Sequence, residues 1–81
     1  MFSKPTHLRA EIVSNVLTIF VSIGEEIKAG QTLLLLESMK MEIPVLSEID
    51  GVVAEIPVEP GDLVQVDDLL IRLDEITENK K

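Results

Sequence analysis

"VSNVLTIFVSIGEEIKAGQTLLLLE" (residues 13–37) and "DGVVAEIPVEPGDLVQVDDLLIRLD" (residues 50–74) are two copies of one pattern, offset by 37 positions. The apolar positions coincide: Val16 with Val53, Ile19 with Ile56, Val21 with Val58 and Ile27 with Val64. Leu33, Leu34 and Leu36 then meet Leu70, Ile71 and Leu73. Gly24 falls on Gly61, and the acids Glu25 and Glu37 fall on Asp62 and Asp74. A repeat of this kind signals a unit that cannot bury its apolar face alone and must pack on its copy.

Each copy reads as a strand, a tight turn, a short strand and a second long strand. In "EPGDL" (59–63) Pro60 presets φ for the second position of a turn, and Gly61 supplies the positive φ that a type II turn needs at its third. Gly24 does the same without the proline. Helical periodicity is not sustained, because Gly24 and Gly30 interrupt the one tempting stretch, "GEEIKAGQTLLLL". Two four-strand halves packed on one another predict an all-β fold. It is a flattened barrel or sandwich of two four-stranded antiparallel sheets with pseudo-two-fold symmetry, and the paired apolar residues are its core. The predicted organisation is an N-terminal lead over 1–8, one domain over 9–75 and a polar flexible tail over 76–81.

Composition narrows the function classes. At 81 residues the chain is a single domain with little room for a deep cleft beside its core. It has no cysteine, which removes disulfides, thiolate chemistry and cysteine-bound zinc. Fifteen Asp and Glu against seven Lys and Arg leave a net charge of −8, which repels nucleic acid. No apolar run approaches the roughly 20 residues that cross a bilayer, and none follows Met1, so neither membrane nor signal peptide is expected. Cytoplasm is the expected compartment. His7, the single histidine, has no triad partners and is expected to be a mobile surface residue. The acid pairs Glu25-Glu26 and Asp67-Asp68 lack the alternation of a metal loop and are expected to be solvated turns.

Between the copies lies "ESMKME" (37–42), where "LLLLE" must reverse into "MEIPVL" within a few residues. That predicts a hairpin with Met39 and Lys40 at its tip. The turn contains neither Gly nor Asn, so a positive φ there would be strained, and strain without structural need can mark function. A long, unbranched, solvated amine on a rigid tip suits a swinging arm. Met39 and Met41 either fill the base of the hairpin or serve recognition by a modifying enzyme. Glu37 is a second recognition candidate, and Glu42 is read as solvated.

"ESMKM" resembles the attachment motif of biotinyl (biotin carboxyl carrier) domains in the biotinyl/lipoyl attachment family. "VSIGEEIKAGQTLLLLE" is similar to the run that precedes that motif, and "DGVVAEIPVEPGDLV" to its second-half counterpart. The resemblance spans roughly residues 10–74, with its parts at mutually consistent distances. It implies biotin joined by an amide bond to Lys40, with Met39 and Met41 as flanks and Glu37 and Ser38 completing the motif. It further implies a non-catalytic carrier, modified by a biotin protein ligase, that shuttles a carboxyl group between a biotin carboxylase and a carboxyltransferase. Departures fall at strand starts and turns: Glu11, Ser14 and Asn15 in the first half, and Ser47-Glu48 before the second. Gly51, the counterpart of Ser14, is retained. The rival readings are a lipoyl carrier, in which Asp precedes the lysine, and an assembly module in which Lys40 is never modified.

Overall fold

The computed structural model describes residues 2–76, and among them every regular element is a strand. In chain order these are β1 (Phe2–Arg9), β2 (Ser14–Ile19), β3 (Glu26–Ile27), β4 (Thr32–Ser38), β5 (Met41–Leu46), β6 (Gly51–Glu55), β7 (Leu63–Val64) and β8 (Leu69–Ile76). They form two four-stranded sheets, ordered β1-β8-β6-β3 and β5-β4-β2-β7, with every pairing antiparallel. No helix among the described residues is long and apolar enough to cross a membrane.

Shifting each partner in the first sheet by 37, upward from the first copy and downward from the second, generates the second sheet's pairs. Thr6↔Leu73 maps onto Ile43↔Leu36, Val53↔Leu73 onto Val16↔Leu36, and Ile27↔Gly51 onto Val64↔Ser14. The irregularities repeat too, at Val16/Thr18 and again at Val53/Glu55. The sheets, however, are not the two halves laid face to face. Each takes two strands from each half, so β2 and β4 pair with β7 and β5 from the other copy. This interlocking satisfies the backbone of each short strand against the opposite copy, which a half folded alone could not do.

The residues between the sheets are those the repeat predicts. Val16, Val21, Ile27, Leu33, Leu34 and Leu36 are buried, and so are their mates Val53, Val58, Val64, Leu70, Ile71 and Leu73. Ile19 and Ile56 pack against this core while staying partly exposed. Ala10 joins the core as well, and its mate Ser47 is buried with its hydroxyl donating to the Ile49 carbonyl at 2.7 Å. Each fully buried Leu or Ile of this kind contributes about 1.5–3 kcal/mol by leaving water.

Turns lock the frame. Gly24 and Gly61 take φ of 91° and 96°, as the turn reading requires. The acids beside them are more than solvated. Glu25 Oε1 accepts from Ser22 N at 3.0 Å, and its mate Asp62 Oδ2 accepts from Glu59 N at 2.9 Å. Gln31 and Asp68 cap the next pair of turns in the same way, at 3.0 and 2.8 Å. Each side chain satisfies an amide three residues earlier, which explains why these positions match across the repeat. From Phe2 onward the predicted lead is strand β1, paired along β8, and Ile76, placed in the tail, closes β8. The remainder of that tail lies outside the described residues.

Candidate functional site

The site is the turn between β4 and β5. Ser38 and Met41 form the last strand pair, leaving Met39 and Lys40 as a two-residue connection. Their φ angles are 53° and 67°. Positive φ at both central residues is the type I′ geometry, whose twist matches the flanking strands and which normally selects Asn-Gly. Met-Lys in that conformation costs about 1–2 kcal/mol per residue in contacts between Cβ and the backbone. The core behind the hairpin compensates for this strain.

Lys40 is exposed, and among the described residues no carboxylate lies within ion-pairing distance of its ammonium group. The ion pairs described belong to Arg72, which reaches Glu55 at 3.2 Å and Asp74 at 3.3 Å in the other sheet. Met39 is 84% exposed and Met41 66%, so neither fills the base of the hairpin. The reason is local: Met39 sits in the left-handed turn, outside strand alternation, and Met41 opens β5 on the side that Ile43 and Val45 turn to the core, but at the strand's end, where it stays exposed. The buried position is taken instead by Ser38, whose Oγ donates to the Val13 carbonyl at 2.9 Å. That bond ties the turn to the segment leading into β2.

One row below the tip, the outer face carries Leu63, Asn15, Glu37 and Glu42 in adjacent strands β7, β2, β4 and β5. Glu37 is half-buried and stands directly opposite the exposed Glu42. Like charges so placed are mildly destabilising. His7 is a surface residue, exposed on β1 opposite Arg72. Among the described residues no cluster of acids or histidine could hold a metal.

The sequence reading missed an open hollow of about 670 Å³ beside the turn, bordered by Lys40, Met39, Ile12, Val13, Leu63 and Val66. Its signal was a break in the repeat. Val13, Leu63 and Val66 stand opposite Asp50, Glu26 and Ala29 when 37 is added or subtracted, so the two ends of the molecule differ in polarity.

Known proteins agree with this geometry. Residues 8–73 match the Biotin_lipoyl family model, described as "Biotin-requiring enzyme". The chain is 52% identical over 63 residues to the biotinylated protein TB7.3 homolog of Mycobacterium leprae, covering 78% of this chain and 89% of that protein. It is 40% identical over 76 residues to pyruvate carboxylase of Staphylococcus aureus, covering 94% of this chain but only 7% of that much longer protein. Among solved structures, a single-chain, multi-domain long-chain acyl-CoA carboxylase superposes with a TM-score of 0.84 at 25% identity, covering 94% of this chain and 8% of that one. The fold and the turn thus define a biotinyl-type carrier domain. The chain belongs to the biotin/lipoyl attachment family, and it is similar to a biotinylated protein and to part of a carboxylase.

Proposed function

We propose that Lys40 is the biotin attachment residue and that the domain is the carboxyl carrier of a biotin-dependent carboxylase. The observation that carries this reading is an exposed lysine amine, without an ion-pair partner among the described residues, on a strained two-residue turn at the end of a sheet. Biotin, when bound, supplies the carrying of a carboxyl group; the chain supplies everything that places it. The type I′ turn holds the Lys40 Cα at a fixed point, while the side chain stays free of packing. Ser38 anchors the turn from beneath through its bond to Val13. Met39 and Met41 present apolar side chains on either side of the lysine, where an enzyme that recognises the tip can grasp them.

A ligase must remove the amine proton and deliver an activated acyl group, since nothing beside Lys40 in the described structure is placed as a base. The linked lysine and valeryl chains contain about ten single bonds, so the ring would range roughly 12–15 Å from the backbone. Tethering on that radius keeps the effective concentration high at each of two active sites, replacing diffusion of a free cofactor. In this reading the partners are a biotin protein ligase, a biotin carboxylase and a carboxyltransferase, all in the cytoplasm. The domain performs no catalysis itself.

The test is direct. Incubated with biotin, ATP and a biotin protein ligase, the protein should gain one biotinyl group by intact mass, and peptide mapping should place it on Lys40. A label on Lys28, which occupies a turn without methionine flanks, would overturn the assignment.

A further inference from the structure

The duplicated fold contains its own control experiment. Backbone positions at the Lys40 end recur at the other end, so a side-chain character found at one end alone is not one that the shared frame requires. At the far end Asp50 Oδ1 accepts a hydrogen bond from Ala29 N at 2.9 Å, beside Glu26. The matching residues at the Lys40 end are Val13, Val66 and Leu63, which are 47%, 54% and 60% exposed. Three apolar side chains therefore face water where the same frame accepts an acid, an alanine and another acid. Ile12 adds to them, and the hollow they border also reaches Lys40.

Clustered exposed apolar side chains around a hollow, unlike single scattered ones, mark a binding surface. A volume of about 670 Å³ suits a small-molecule head group. Polar residues line it too: Asn15 and Glu37, neighbours across β2 and β4, together with Glu11, Ser14 and Ser38. We propose that this hollow is a resting seat for the biotin head carried on Lys40, an inference that rests on the attachment proposed above. The bicyclic head is half apolar, a thioether ring, and half polar, a ureido group with two N–H donors and one carbonyl acceptor. Val13, Leu63 and Val66 match the first half. Glu37 accepts and Asn15 donates to the second.

The tether decides the occupant. A ligand fixed to a residue that itself borders the hollow is present at millimolar effective concentration, so even weak affinity fills the seat. Seating costs little and leaves the head free to depart when an active site offers more. The seat limits the time that a half-apolar ring spends in water between transfers.

The variant that tests this copies residues that the other half carries at the matching positions. Val13→Asp, Leu63→Glu and Val66→Ala together install at the Lys40 end the residues that stand at the far end. Nitrogen-15-labelled wild type and triple variant are compared by NMR before and after biotinylation, with intact mass read first. Wild type carrying one biotinyl group should show amide shift changes extending from Met39–Met41 to Val13, Leu63 and Val66. Nuclear Overhauser contacts from the thioether ring to the methyls of those residues should accompany them. In the biotinylated variant the changes should shrink to the turn alone. A singly biotinylated wild type that changes only at Met39–Met41 overturns the seat while leaving attachment intact. Changes of the same extent in the variant also overturn it. A protein that acquires no biotin overturns both proposals.

Discussion

Ser38 and Val13 are joined by a 2.9 Å hydrogen bond from the serine Oγ to the valine carbonyl, and among the described residues this is the one side-chain bond that anchors the Lys40 turn to the rest of the frame. Ser38 is 9% exposed, so the bond is shielded from water. Ser38→Ala leaves the carbonyl without this partner and should lower stability by about 0.5–1.5 kcal/mol. Urea unfolding should show the lowered midpoint with an unchanged slope. Modification of Lys40 should continue, because the Ser38↔Met41 strand pairing that shapes the turn does not involve the hydroxyl.

The strain at the tip gives a prediction of opposite sign. Met39→Asn with Lys40→Gly installs the pair that type I′ geometry prefers. Relief of two left-handed residues, less the extra unfolded-state freedom of glycine, should raise stability by about 1–2 kcal/mol. A thermal melt reads the gain, and a ligase assay should show that modification is abolished. A lower melting temperature would show that the observed φ values carry no strain.

Gly51 in β6 lies tight against β8. A Cβ there would sit 2.6 Å from the Asp74 carbonyl oxygen, a backbone atom that cannot swing away. Gly51→Ala should therefore cost about 1–3 kcal/mol by forcing β6 and β8 apart. Its mate Ser14 does carry a side chain, buried with its hydroxyl donating to the Ile12 carbonyl at 2.6 Å, so the symmetry is broken at this pair. Denaturant unfolding of the variant provides the check.

Met39→Asp with Met41→Ala tests whether the flanks are recognised. Both methionines are exposed, so stability should shift by no more than about 0.5 kcal/mol. The tip then has the lipoyl character of Asp before the lysine, and biotinylation should slow strongly. Unchanged ligase kinetics would mean that the methionines contribute nothing to recognition.

Some of this was legible in the residues and some was not, for physical reasons. The 37-residue offset exposed the core, because burial selects apolar side chains wherever the frame recurs, and Leu33 and Leu70 both reach 0% exposure. Gly61 was readable because few residues accept its φ of 96°. The interlocking of the halves was hidden, since alternation in β2 records which face is buried but not which strand lies alongside. The sequence does not decide the packing of the methionines for a similar reason: alternation cannot be extended into a left-handed turn. The hollow was missed because Val13, Leu63 and Val66 are ordinary as single exposed residues. Only the fold gathers them beside Lys40.

The most direct test of the central claim is intact mass after ligase treatment of Lys40→Arg beside wild type, with a thermal melt on the same preparations. Guanidinium keeps the charge but stays protonated and cannot act as the amine nucleophile. Because Lys40 is exposed and unpaired in the described structure, stability should move by no more than about 0.5 kcal/mol. Leu34→Ala, which empties a fully buried position, should lose roughly 2–5 kcal/mol and calibrates the melt. The account predicts a wild type carrying one biotinyl group and a Lys40→Arg variant that melts like wild type and carries none. A biotinylated Lys40→Arg, or one that unfolds, would contradict it.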